Sequence, residues 1–162
     1  MIHFFLFDVV WLSAVWGRED WLWATSLMVV VLYASAYKYL WQQRKALLVI
    51  ITVGLIAEYL VVALGLITFT GTDYLPVWLV LLWVGFSAMA LVVFGWLGQR
   101  YWLAAVAGII FGPITYFAGV RLGAAEMLTN PWLVGTAYSF IWALLMMLIL
   151  YFINSANKES FK

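Results

Sequence analysis

Ala46-Leu47-Leu48-Val49-Ile50-Ile51-Thr52-Val53-Gly54-Leu55-Ile56-Ala57-Glu58-Tyr59-Leu60-Val61-Val62-Ala63-Leu64-Gly65-Leu66-Ile67-Thr68-Phe69 contains one charged side chain, Glu58, in an otherwise apolar run. It exceeds the ~20 apolar residues that cross a bilayer core as a helix. Three further runs read the same way: Val77 to Gly98, Tyr101 to Val120 and Trp132 to Ile153. Trp21 to Trp41 is a fifth. Ile2 to Trp16 is shorter than the ~17-residue lower limit and spans only if untilted or where the bilayer thins.

Composition agrees with these runs. Of 162 residues, 68% are hydrophobic and 9% charged, against about 25% charged in soluble domains. The expected fold class is therefore all-α: a polytopic transmembrane helix bundle of six spans, the first one short. Residues 1–153 form a single transmembrane domain, and 154–162 a short cytoplasmic tail. The opening Met1-Ile2-His3-Phe4 lacks a positive n-region and Asp8 interrupts the apolar stretch, so the first segment is expected to be retained and not cleaved as a signal peptide.

Charge sets the expected orientation. With both termini cytoplasmic, Lys38, Arg44, Lys45, Arg100, Lys158 and Lys162 collect inside, leaving Arg18 and Arg121 outside, as the positive-inside rule requires. Tryptophans and tyrosines cluster at the span ends, among them Trp16, Trp21, Trp41, Trp78, Trp102 and Trp132, as an aromatic belt does. No repeat with a period of 20 to 50 residues and no inverted pair of broken helices is evident, so the usual secondary-transporter architecture lacks sequence support.

The same composition excludes several function classes. No cysteine and a single histidine leave no multi-histidine or thiolate metal site, no iron–sulfur cluster and no cysteine nucleophile. No metal or other cofactor is expected. A net charge of +1 supplies no basic field for nucleic acid. No extramembrane enzyme domain fits.

Chemistry, if present, lies within the membrane. Glu58 falls halfway along its span, where a carboxylate costs about 2.5–3.5 kcal/mol on insertion scales. Gly54, Glu58, Val61 and Gly65 share one helix face by their spacing, so the acid is expected to face a packed interior or cavity, not lipid. Without a cation nearby, the neutral acid is favoured, able to donate a hydrogen bond or exchange a proton. It either orients a ligand or ties helices together. Asp8 reaches about the same depth in the first span and could share a proton with Glu58; alternatively the short helix lets it meet water. Ser87 and Ser139 also reach this level, without a base nearby, and read as hydroxyls bonded to backbone carbonyls.

In the fifth span, Gly108 and Gly112 form a small-xxx-small face, followed by Gly119. Pro113 removes a backbone donor and is expected to kink the helix. Tyr116 and Arg121 follow it. Arg121 at the outer boundary could hold a lipid phosphate, a carboxylate ligand, Asp73 or Glu126, or could simply snorkel. The loop Thr70 to Pro76 has ordinary turn chemistry, with Pro76 opening the next helix. His3 reads as a solvated terminus.

The runs Leu75-Pro76-Val77-Trp78, Leu82-Trp83-Val84-Gly85-Phe86, Gly112-Pro113-Ile114-Thr115-Tyr116-Phe117-Ala118-Gly119 and Leu122-Gly123-Ala124 resemble a bacterial inner-membrane family known as the domain of unknown function number twenty-eight seventy-eight. The likeness extends to Trp11, Gly17 and Gly54, and to an acid at position 58, where the family pattern tends to have aspartate. The resemblance implies a small multispanning membrane protein without an established activity, cofactor or catalytic residue. Through the association of relatives with genes for fatty-acid modification, it also implies a lipid-related role.

Three functions remain open at this point. One is binding or transport of a lipid or other apolar molecule in an intrabundle pocket, with Glu58, Asp8, Tyr116, Arg121, Ser87 and Asp73 as candidate ligand-binding residues and Gly54, Gly108, Gly112, Pro113 and Gly119 serving helix packing. The second is an intramembrane acid–base enzyme acting on a lipid. The third is a structural subunit that uses the Gly108/Gly112 face to bind a membrane-protein partner or a second copy.

Overall fold

A computed structural model describes residues 2–159, with side chains described through 156. The expected tail residue Lys162 and the side chain of Lys158 lie outside what is described. Helix α1 (Ile2–Gly17) leads through a 3-10 turn (Arg18–Trp21) into α2 (Leu22–Ser35) and α3 (Tyr37–Gln42). Helix α4 (Arg44–Ala63) is followed by strand β1 (Ile67–Phe69). Helix α5 (Val77–Val93) continues as a 3-10 turn (Phe94–Leu97), and α6 (Tyr101–Arg121), strand β2 (Ala125–Met127) and α7 (Pro131–Glu159) complete the chain.

Among the described residues, four helical segments are long and apolar enough to cross a membrane: Arg44–Ala63, Val77–Leu97, Tyr101–Arg121 and Pro131–Ala156. Helix α1 has 16 residues and α2 has 14, about 24 and 21 Å at 1.5 Å per residue. The expected Trp21 to Trp41 helix is interrupted, because Ala36 leaves helical geometry (φ −133°, ψ 23°). Just before it, Ser35 Oγ donates to the Leu32 carbonyl at 2.7 Å, a local bond of the kind that competes with the helical ladder. The last helix runs on past Ile153 into the residues expected to be a tail.

The expected Ala46 to Phe69 helix also ends early. Gly65 adopts φ +66°, Gly65 N–H donates to Val62 O and Leu66 N–H to Val61 O. That is a Schellman cap, which a glycine at this position permits at no steric cost. Gly65 therefore closes the helix and does not extend the Glu58 face. Helix α6 ends identically: Gly123 has φ +71°, with Gly123 N–H to Val120 O and Ala124 N–H to Gly119 O.

Each cap feeds one strand of an antiparallel ribbon, paired Ile67 with Met127, Thr68 with Glu126 and Phe69 with Ala125. The shift of 58 residues that separates Glu58 from Tyr116 also relates Gly54 to Gly112, Gly65 to Gly123 and Thr68 to Glu126. The ribbon register is symmetric about the Thr68/Glu126 pair, so a local two-fold axis passes through it. The units α4–β1–α5 and α6–β2–α7 repeat the same helix–strand–helix order on either side of this axis. An added Cβ at Gly54 would strike the Trp83 ring, and one at Gly112 the Trp142 ring. Those two indoles stack at 5.7 Å between ring centroids.

Helix α5 is the hub. It packs against α1, α2, α3, α4 and α7, and its residues Gly85 to Leu91 are all buried. The α1–α2 hairpin is closed by a buried Ser13–Thr25 hydrogen bond of 2.8 Å, and Tyr33 and Tyr39 hydroxyls reach the Val84 and Leu91 carbonyls of α5. Helix α6 lies mainly on α7. Gly108 fits directly against the Trp142 backbone carbonyl, close approach of the sort small residues allow between membrane helices.

Candidate functional site

Glu58 is 1% exposed and accepts from three donors, each on a different helix. Its Oε1 takes the Tyr116 hydroxyl of α6 and the Trp83 indole N–H of α5 at 3.3 Å. Its Oε2 takes the Tyr138 hydroxyl of α7 at 2.9 Å. One carboxylate on α4 thus joins all four membrane-length helices. Glycine at 54 opens the room for the Trp83 ring one turn away. The Tyr116 and Tyr138 rings stack on one another, which fixes both hydroxyls toward the acid.

Beside this cluster runs a groove of about 630 Å³. It lies between α1 and α6 and is floored by α5, from Leu97 and Leu103 at one end to Phe69 and Ala125 of the ribbon at the other. Its floor is buried (Trp78, Leu79, Trp83, Phe86, Met89), whereas Phe4, Val106, Ile110 and Phe111 on its rims are exposed. Local symmetry makes the opening informative: α4 packs along α7, while the equivalent seam between α5 and α6 is the groove.

The few polar groups on the wall gather at one level. Asp8 lies on α1, and Thr115 and Tyr116 on α6. Asp8 and Glu58 are not partners: the carboxylate of Glu58 is engaged by Tyr116, Tyr138 and Trp83, and Asp8 faces the groove. No shared-proton pair forms. Glu58 itself is outside the lining and touches the groove only through Tyr116 and Trp83.

Other sequence-derived candidates fall elsewhere. Ser87 is fully buried and donates to Val84 O at 2.8 Å, a bond within its own helix. Asp73 and Arg121 are exposed on the ribbon side and form no ion pair with each other or with Glu126 among the described residues. The arginine that is engaged there is Arg18, whose Nη1 donates to Gly123 O at 2.6 Å. Thr70 Oγ1 donates to the same carbonyl at 2.8 Å. Arg18 holds φ +47°, a rare conformation for a side-chain-bearing residue, and so reaches across to the end of α6. His3 is not a solvated terminus: its Nε2 is buried without a partner among the described residues.

Pro113 sits inside an uninterrupted α6. The carbonyl it leaves without a helical donor is that of Ile109, four residues back, and Ser139 Oγ of α7 donates to it at 2.9 Å. Tyr138, Trp83 and Trp142 are the site residues that sequence reasoning missed. A signal existed in the shared Val-x-Leu-Gly at Val62 to Gly65 and Val120 to Gly123, which aligns the two halves and sets Glu58 opposite Tyr116.

A family model described as "Protein of unknown function (DUF2878)" matches residues 1–148. The chain belongs to this family. The matched span contains every residue of the Glu58 cluster and every residue named on the groove wall. Neither the curated proteins nor the solved structures contain a match to the chain.

Proposed function

We propose that this is an integral protein of the bacterial inner membrane whose α1–α6 groove binds, and in that capacity stores or passes on, a lipid or other elongated apolar molecule. The observation that carries the reading is the groove itself. Its volume of about 630 Å³ falls inside the ~300–1,000 Å³ typical of small-molecule sites, and its wall is apolar apart from one polar level. It opens sideways, between exposed rims that would face acyl chains. A site of that form suits a ligand arriving from the bilayer.

In this reading the chain crosses the membrane six times with both termini inside, α1 as a short first span and α2–α3 as a broken second one. The charge distribution supports that arrangement. Glu58 acts by holding the Tyr116 hydroxyl and the Trp83 ring in the wall. Glu58 is held by Tyr116, Tyr138 and Trp83 and does not meet Asp8, so the acid–base enzyme reading lacks the coupled carboxylates it would draw on.

Gly119 lies in the wall and an added Cβ there meets nothing within 4 Å, so Gly119→Trp fills the groove without displacing a helix. Native mass spectrometry of protein released from mild detergent is the test. Wild type is expected to retain lipid that Gly119→Trp loses, while Glu58→Gln retains less of it. Identical adducts on wild type and Gly119→Trp would remove the groove as the site.

A further inference from the structure

Asp8 is the one acid on the groove wall, and the fold treats it quite differently from Glu58. Glu58 has three donors, whereas Asp8 has no hydrogen-bond or ion-pair partner among the described residues. It sits well inside α1, six residues after Ile2 and nine before Gly17, about 9 and 14 Å from the two helix ends at 1.5 Å per residue. A lone acid placed there among membrane-length helices calls for a partner. The described wall holds no lysine, arginine or histidine to supply one.

The wall around it is aromatic. Phe4, Asp8 and Trp11 share one face of α1 by their four- and three-residue spacing, so the acid lies between two rings that also line the groove. Phe7 beside it meets Phe86 edge-on at 5.8 Å, and Phe86 meets Trp142 edge-on at 4.9 Å between ring centroids. Trp142 in turn stacks on Trp83. A continuous band of rings therefore runs from α1 across α5 to α7. An acid set among aromatic rings suits an alkylated ammonium, whose diffuse charge is drawn to the ring quadrupoles and needs no hydrogen-bond acceptor.

We infer, on the groove-binding reading above, that the groove takes a lipophilic cation: an ammonium carrying apolar arms, with its nitrogen beside Asp8. The pair forms from either protonation state of the acid. A free amine takes the proton of a neutral carboxyl, and a permanently charged ammonium displaces that proton to water. Carboxylate and phosphate groups are disfavoured at this level, because no basic side chain on the described wall meets their charge. A neutral carbonyl is the competing occupant, since the Trp142 indole N–H is a buried donor without a partner and a protonated Asp8 is another donor. Charge favours the cation: attraction between opposite charges rises as the local dielectric falls, and the rings add to it.

The test uses the full-length protein in an uncharged maltoside detergent, titrated by native mass spectrometry with three probes of equal arm length. These are didecyldimethylammonium, the hydrocarbon in which carbon replaces its nitrogen, and the didecyl ketone. Wild type is expected to bind the ammonium about tenfold or more tighter than either neutral probe, the factor that ~1.4 kcal/mol confers. Asp8→Asn keeps the side-chain shape and removes the charge. It is expected to bring the ammonium down to the level of the hydrocarbon, with hydrocarbon binding retained as the sign that the variant folds. Asp8→Glu is expected to keep the preference, and Trp11→Leu to weaken it about two- to fivefold. Equal binding of ammonium and hydrocarbon by wild type, lost in Gly119→Trp, would overturn the cation and leave the groove standing. So would a preference for the ketone, or an ammonium preference that Asp8→Asn leaves unchanged. Binding of all three probes unaffected by Gly119→Trp would overturn the groove and the cation together.

Discussion

Glu58 places a polar group in an apolar helix of membrane length, five residues before its end at Ala63, and the fold recovers that cost by giving it three donors. Removing the acid strands all three. Glu58→Leu leaves two tyrosine hydroxyls and an indole N–H unsatisfied in a dry interior, each worth about 1–3 kcal/mol when orphaned. Thermal unfolding in detergent is expected to show a larger loss for Glu58→Leu than for Tyr138→Phe, which deletes one donor and leaves the carboxylate two. In the double variant the losses should not add, with a coupling of about 0.5–3 kcal/mol. Strict additivity would mean that the Tyr138 bond contributes nothing in the folded membrane state. Glu58→Asp is the sharper probe of reach: the side chain loses one methylene, so it can hold Tyr116 or Tyr138 but not both, and its stability should fall between wild type and Glu58→Leu.

At the scale of elements, the glycines of α6 are not equivalent, and the structure ranks them. Gly108 abuts a backbone carbonyl of α7 that cannot turn aside, Gly112 abuts an indole, and Gly119 faces open space. Gly108→Ala is expected to destabilise by about 1–3 kcal/mol through overpacking. Gly119→Ala should remain within ~0.5 kcal/mol of wild type. Equal effects would show that α6 and α7 do not meet at this register. Pro113 and Ser139 supply a second element-level measurement. Ser139→Ala exposes the Ile109 carbonyl only while Pro113 withholds its donor, so its cost should shrink in a Pro113→Ala background, where the ordinary helical bond returns.

These cases show what could and could not be read from the chain. Hydropathy alone located the four long helices, because apolar runs of that length have no other stable use in so short a protein. It misplaced the helix ends at Gly65 and Ala36, since a glycine in an apolar run signals a cap, a packing contact or nothing at all until its φ is known. Spacing put Glu58 inside, but its partners come from helices distant in sequence, and a tyrosine or tryptophan in a membrane span looks the same whether it faces lipid or a carboxylate. The two-fold relation is hard to read from the chain because few identities carry it. Its helical partners on α5 and α7 are also displaced by one residue more than those on α4 and α6.

For the whole molecule, the absence of native cysteine makes accessibility mapping direct. Single cysteines at Asp73 and Glu19 are expected to react from one side of the membrane, and those at Gln43 and Gln99 from the other, in inverted and right-side-out vesicles. Labelling of Gln43 and Asp73 from the same side would refute the crossing of α4. Arg18 ties the turn between α1 and α2 to the end of α6 by a side-chain hydrogen bond to the Gly123 carbonyl. On the groove-binding reading, Arg18→Met is expected to leave the fold intact and to accelerate lipid exchange, followed by native mass spectrometry.

The ribbon that closes the two halves has a mechanical meaning. It fastens the ends of α4 and α6 to one another through backbone bonds, which are stiffer than any side-chain contact along the helices. At the other end of the cleft Leu97 and Tyr101 are joined by only three residues, 98–100, and the Asn154 side chain of α7 donates to both the Gly98 carbonyl and the Tyr101 hydroxyl. With both ends fastened, α6 can bow away from α1 only along its middle, as a stave does between two hoops, and traffic would enter sideways there. Paired spin labels on Phe4 and Phe111 should report a broader distance distribution than a pair on Trp96 and Trp102.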